Sequence, residues 1–359
     1  MGTIGRRAFV RRAFGLAALP AAGSLSGCQS LFQALSESCP ETDDDSGGVT
    51  WIPDVMHPVF YGHQDIGTAA GAPINLRIWY PSPDGSPAGA PVLKLCLARY
   101  PVVLFLHGQE PCPAASEYHK HWFAIPAVLA RSGYVVVVPQ YATSLPVAGH
   151  PNIAMALDVL DWVRDGWSER RWLDARRQAT AVAGHSYGAL LAARVVAARP
   201  ELAAYVGLSG PWDELNDRNA VLGGLDLPKL MAWGRDLFFE NLESTWPAMS
   251  QPRHALDFEG EHFDYSANHP SCVEPRGPCT ALQFGIADLI ALFLTRYVPP
   301  AASGTSIPAS LQPPAAPLSE AQQFYAGGRL AGLQGLEASA SCDVRLRWQD
   351  GSASGSRTL

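Results

Sequence analysis

Charge is scarce in this chain, and lysine is scarcer still. Charged residues make up 16% of the 359 positions, and lysine occurs only at Lys94, Lys120 and Lys229. The formal net charge is −7, from 26 basic and 33 acidic residues. Four of the basic ones (Arg6, Arg7, Arg11 and Arg12) fall in the first 27 positions, which hold no acid. Subtracting those four leaves 22 basic against 33 acidic residues, or −11. A body of that sign repels phosphate backbones, so nucleic acid is disfavoured as a partner. Past the leader there is no uncharged apolar run of the roughly 18 residues that a membrane span needs. Cysteine pairs with zinc-like C-x-x-C spacing are also missing, which argues against a structural metal. No internal repeat appears. What the chain does have is apolar material, 47% of all residues, enough to build a sizeable core. Its 33 glycines and 30 prolines point to many tight turns.

The leader reads as an address rather than as fold. Arg6-Arg7 and Arg11-Arg12 are each followed by Ala-Phe, and an apolar run follows from Ala13 to Leu25. The run ends in Leu25-Ser26-Gly27-Cys28, which resembles a bacterial lipobox. That resemblance implies twin-arginine export, cleavage before Cys28 and a lipid on Cys28. The implied place is the bacterial cell envelope, where the protein meets a membrane through its N-terminal lipid. Residues 28–49, with Asp43-Asp44-Asp45 and Gly47-Gly48, have the polar composition of a tether. Setting Cys28 aside leaves six cysteines, an even number that suits disulfides outside the cytosol. Cys272 with Cys279 is the first candidate pair and Cys96 with Cys112 the second. Cys39 with Cys342 is the remainder.

Apolar runs and helical patterns then alternate. Strands are expected at Asn75–Tyr80, Pro101–Leu106, Tyr134–Val138, Ala179–Ala183, Ala203–Leu208, Leu227–Trp233 and His254–Phe258. Helices are expected at Trp122–Ser132, Ile153–Gly166, Tyr187–Arg199 and Thr280–Val298. The alternation predicts an α/β fold, a doubly wound and mostly parallel sheet, over residues 50–299. A linker rich in Pro and Ala follows at 300–318. A short C-terminal tail, 319–359, carries one alternating stretch, Cys342 to Trp348, that reads either as a strand added to an edge or as a small β appendage.

The sharpest motif is Gly184-His185-Ser186-Tyr187-Gly188, entered from an apolar strand and left by a small-residue helix. A serine on such a bend sits in a strained backbone with its hydroxyl presented at the end of the sheet. The alternative is an ordinary strand–turn–helix with a capping serine. With Leu173-Asp174-Ala175-Arg176-Arg177 leading into it, this stretch resembles the α/β-hydrolase superfamily. Within that superfamily it looks like the branch of chlorophyllases, cutinase-like polyester hydrolases and platelet-activating-factor acetylhydrolases. Ala189 departs from that branch, which often has a further glycine there. The resemblance implies a triad in the order serine, acid, histidine. Ser186 is then the nucleophile, Asp236 (just past strand 227–233) the orienting acid, and His262 the general acid and base. Asp213 is the alternative acid. The backbone N–H groups of Tyr187 and Gln109 would form the oxyanion hole. His107 reads as a loop-orienting residue, His185 as structural, and His119/His121 as an H-x-H surface pair.

The implied activity is cleavage of carboxylic esters through an acyl-enzyme, with a small-molecule or polymeric ester as substrate and no cofactor or metal. An open cleft with aromatic walls at Tyr187, Trp212, Trp122 and Tyr141 suits apolar ester groups, while each of these rings taken singly reads as core more often than as pocket. The base would act with an ordinary histidine pKa of ~6.5. Two other readings stand beside it: a surface lipoprotein that binds through a hydrolase-like scaffold without catalysis, and a peptidase or amidase with the same triad.

Overall fold

The computed structural model describes residues 60–71, 73–82, 88–92, 99–109, 117–120, 122, 124–142, 150–212, 218–234, 242–258, 262, 283–299, 344–350 and 353–358. The leader, all seven cysteines, Asp213, Asp236, His121 and residues 300–343 therefore lie outside the described residues.

Ten strands form one sheet in the order β1-β2-β4-β3-β5-β6-β7-β8-β9-β10. They are β1 (Phe60–Ile66), β2 (Leu76–Ser82), β3 (Val102–Leu106), β4 (Val135–Pro139), β5 (Thr180–His185), β6 (Ala204–Leu208), β7 (Lys229–Gly234), β8 (Arg253–Phe258), β9 (Val344–Asp350) and β10 (Ala353–Thr358). The six strands from β4 to β8 in that order are parallel, and β1, β2, β9 and β10 add antiparallel edges. The fold is the α/β-hydrolase kind: a mostly parallel sheet with helices on both faces. Among the described residues, four helices of eight residues or more cover it: α1 (Ala124–Arg131), α2 (Pro151–Asp165), α3 (Tyr187–Ala198) and α4 (Gln283–Tyr297).

The central strands read as unbroken apolar runs because both of their faces are covered. All five residues of β3 are buried. Val103 and Phe105 enter one core layer with α1 and α4, while Val102, Leu104 and Leu106 enter the other with α2 and α3. Each such side chain contributes about 1.5–3 kcal/mol by burial. Helix α2 begins where His150 caps it: its Nδ1 accepts the Asn152 N–H at 3.2 Å, and Pro151 takes the first helical position.

The strand order determines where chemistry can happen. From β3 the chain moves outward to β4, then returns past β3 to β5 and continues to β8. The order therefore reverses between β3 and β5, and in open α/β sheets the crevice at the carboxyl ends of such strands is where ligands bind. The register places Leu106 opposite Gly184. The residues that leave these two strands, His107-Gly108 and Ser186, thus emerge side by side. At the far edge, β9 pairs antiparallel with β8, and Arg253 of β8 donates to Gln349 Oε1 from Nε at 3.0 Å and from Nη2 at 2.5 Å. Among the described residues, no helix is long and apolar enough to cross a membrane.

Candidate active site

Ser186 occupies the bend between β5 and α3 with φ 54° and ψ −127°. For a residue with a Cβ this is a sparsely populated region, costing about 1–3 kcal/mol unless the surroundings impose it. They do impose it. The Ser186 N–H donates to Leu208 O of β6 at 2.8 Å, and its carbonyl accepts from Ala189 N–H at 2.9 Å. A Cβ on Gly188 would lie 2.1 Å from Leu106 O, and one on Gly184 would lie 2.1 Å from Gly188 O. Strand β3, strand β5 and helix α3 meet too closely for side chains there. The serine side chain makes no capping hydrogen bond to α3, so its hydroxyl is not spent on the helix end. That removes the capping-serine alternative. Ser209, just past β6, also has a positive φ, 47°, and its N–H donates to Ala232 O of β7 at 2.8 Å. Nothing in the sequence marked it.

Gly108 approaches the bend from β3. A Cβ there would be 2.7 Å from Ser186 Cβ and 2.8 Å from His185 Nδ1. The next residue, Gln109, is exposed. His107 is fully buried and its tautomer is legible. Tyr141 N–H donates to Nε2 at 3.4 Å, so Nδ1 carries the proton and donates to Gly108 O at 2.8 Å. The ring stacks on Tyr141 at 4.2 Å between centroids, and Tyr141 Oη donates to His107 O at 2.5 Å. Burial pushes the His107 pKa down to about 4. The expectation that His107 orients a loop agrees with these contacts.

His262 lies at the same edge. Its backbone carbonyl accepts a hydrogen bond from His185 Nε2 at 2.7 Å, and the two rings stand 4.8 Å apart. His185 immediately precedes the serine, so the structure brings Ser186, His185, Gly108 and His262 together. His262 is 5% exposed, and burial lowers its pKa to about 4, well under the ordinary value expected from the sequence. A neutral imidazole there is the form that can accept a proton at pH 7. Strand β7 ends at Gly234 on that same side, while Asp236 and the alternative acid Asp213 lie outside the described residues. Tyr187 opens α3, where backbone N–H groups and the helix dipole face the bend.

The aromatic walls need correction. Trp122 and Trp212 are buried to within 1% and belong to the core, as each ring taken singly was expected to. Trp122 lies against His185 with centroids 5.0 Å apart. Tyr141 is 8% exposed and committed to His107. Of the four, only Tyr187 remains half-buried. The H-x-H pair is not a surface pair at its first member. His119 is buried, and its Nδ1 and backbone N–H both donate to Gln140 Oε1 at 3.0 Å. Among the described residues no group of three His, Cys, Asp or Glu side chains is placed to hold a metal ion. Asp174, in the stretch that leads into β5, is structural. Its Oδ1 accepts Arg176 N–H at 2.9 Å, and its Oδ2 pairs with Arg176 Nη2 at 2.6 Å.

No curated protein matches the chain. Residues 92–208, from just before β3 to the end of β6, match the model of the chlorophyllase family, an α/β-hydrolase-like family. The match takes in Gly108, Ser186 and Tyr187 and stops short of Asp236 and His262. At a coarse level the match is to ester hydrolases of the α/β type.

Proposed function

We propose that the protein is a serine hydrolase that cleaves carboxylic esters through an acyl-enzyme. The observation that carries this reading is the strained Ser186 at the strand-order reversal, its hydroxyl free of the helix cap, with the His262 carbonyl hydrogen-bonded by the residue that precedes the serine. In the reaction, Ser186 Oγ attacks the ester carbonyl carbon while its proton passes to His262. The Tyr187 and Gln109 N–H groups receive the oxyanion. The ester C–O bond then breaks, His262 returns the proton to the departing alcohol, and Ser186 is left acylated. Water activated by His262 repeats the sequence and releases the acid. Asp236 would hold the imidazolium in orientation. The test uses a fluorophosphonate probe with p-nitrophenyl esters of increasing acyl length, a polyester film and a short-acyl phospholipid. Labelling of Ser186 that disappears in Ser186→Ala together with turnover supports the reading. Ester turnover that survives in Ser186→Ala overturns it.

The leader supports a second proposal, that the body is exported and tethered to the cell envelope by a lipid on Cys28. Radioactive palmitate incorporated by the full chain and lost in Cys28→Ala supports this. Incorporation that is unchanged in the variant refutes it.

A further inference from the structure

The bond from His185 to His262 joins two parts of the chain that are 77 positions apart. A backbone carbonyl only accepts, so Nε2 carries the ring proton. Desolvation keeps this fully buried ring neutral, since burial holds its pKa well below the ordinary histidine value. The ring itself cannot shift. His185 is the last residue of β5, paired with Leu208 of β6. Its ring is packed by Trp122 on one side and by the Gly108 backbone on another. The fixed donor is attached to the residue next to the nucleophile, and its acceptor is the backbone of the base.

We propose that His185 is a positioning residue: its Nε2–H holds the His262 carbonyl and so sets where the His262 imidazole stands relative to Ser186 Oγ. This rests on the reading of Ser186 and His262 as nucleophile and base. The hydrogen bond couples the two registers, so a displacement of the bend carries the base with it. Proton transfer needs heavy atoms within about 2.6–3.2 Å, and a misplacement of about 1 Å costs on the order of 10²-fold in rate. A histidine that merely satisfies a buried carbonyl would affect stability and leave the chemistry alone.

Two variants separate these roles. His185→Gln keeps an N–H donor near the Nε2 position, and His185→Phe keeps a ring without one. With a p-nitrophenyl ester, His185→Phe should lose about 10- to 100-fold in kcat while KM stays within about twofold. Its acid limb of kcat/KM should move upward, toward the ordinary ~6.5 of histidine, as the His262 ring loses its enclosed setting. His185→Gln should restore kcat to within about threefold of the native enzyme. Equal kcat and an unmoved acid limb in His185→Phe would overturn the proposal, as would a His185→Gln variant as impaired as His185→Phe. Should either variant fail to fold, 15N-histidine NMR on the native protein decides. An Nε2–H tautomer in the ring assigned to His185 supports the bond, and an Nδ1–H tautomer overturns it. The underlying reading fails separately: if native Ser186 takes no fluorophosphonate and no ester is turned over, that reading falls and this proposal with it. A labelled native enzyme beside an unaffected His185→Phe sinks the positioning role alone.

Discussion

The two ends of the central strands solve one problem with opposite chemistry. Each end has loop carbonyls buried away from water, and each supplies side-chain donors to them. At the amino ends cations lead, with the Ser250 hydroxyl beside them on Leu225 O. Lys229 Nζ donates to Leu225 O and Leu227 O, both at 2.7 Å. Arg164 Nη1 donates to Asp174 O at 2.8 Å, and Arg253 Nη1 to Met249 O at 2.9 Å. At the carboxyl ends the donors are neutral: the imidazoles of His107 on Gly108 O and His185 on His262 O, and the Tyr141 hydroxyl on His107 O. A buried cation costs desolvation and sets up a field. A neutral imidazole fixes a loop just as firmly and adds no charge of its own beside the serine. The amino end is built for holding, and the carboxyl end holds without disturbing a proton transfer.

The comparison breaks most visibly at the serine. Ser186→Ala should lower turnover by about 10³-fold or more. Ser186→Gly should be equally inactive yet gain about 1 kcal/mol, because glycine tolerates φ 54°. A denaturant titration beside an ester assay checks both halves. Next comes acid. His107 and His262 have folded pKa values near 4, below their unfolded ~6.5. Unfolding therefore takes up protons, and stability that is complete above about pH 6.5 declines as pH falls toward 4, by up to about 3 kcal/mol for each group. The acid limb of kcat/KM should likewise lie near pH 4, so an enzyme still active at pH 5 is the expected result and an acid limb near 6.5 the contrary one.

At the other end the sign is the same and the pH range is higher. Burial lowers Lys229 to about 8 in the folded chain, against ~10.4 when unfolded. Between those values the unfolded chain binds the extra proton, so stability should rise with pH by roughly 2–3 kcal/mol. Lys229→Met should flatten that slope, as measured by urea unfolding at pH 7.5 and pH 10.5. Gly188→Ala forces a methyl onto Leu106 O and should cost about 1–3 kcal/mol with loss of labelling at Ser186. The smallest effect belongs to the surface. Arg199 grips Asp161 with two bonds of 2.6 and 2.8 Å at a partly exposed site, and Arg199→Met should change stability by less than about 1 kcal/mol.

The central strands and the four long helices were legible because burial on both faces, or on one stripe, writes itself into hydrophobic periodicity. Strand β1 was not. Its stretch Phe60–Ile66 carries Gly62, His63, Gln64 and Asp65, and it is a strand because β2 pairs with it. Strand β10, Ala-Ser-Gly-Ser-Arg-Thr, has almost no apolar residue and exists as the return arm of a hairpin on β9. Ser186 was legible from its glycines and flanking elements, and His262 from its place after β8. The hold of His185 on His262 was not, since a contact over 77 positions leaves no local pattern. Nor was the depressed basicity of His262, which depends on what packs over it. The aromatic walls misled because tryptophan near a mouth and tryptophan under it look alike in one dimension.

Strand β8 has β9 as its outer neighbour, and Arg253 finds Gln349 96 positions later. During synthesis the residues up to β8 are therefore finished well before that edge is covered. Until residues 344–350 emerge, a row of backbone amides and carbonyls beside the segment leading to His262 stays open to any passing strand. A ribosome paused in between would hold a nascent chain with an adhesive flank, and chaperone occupancy of stalled chains against that of the released full chain would reveal when it closes.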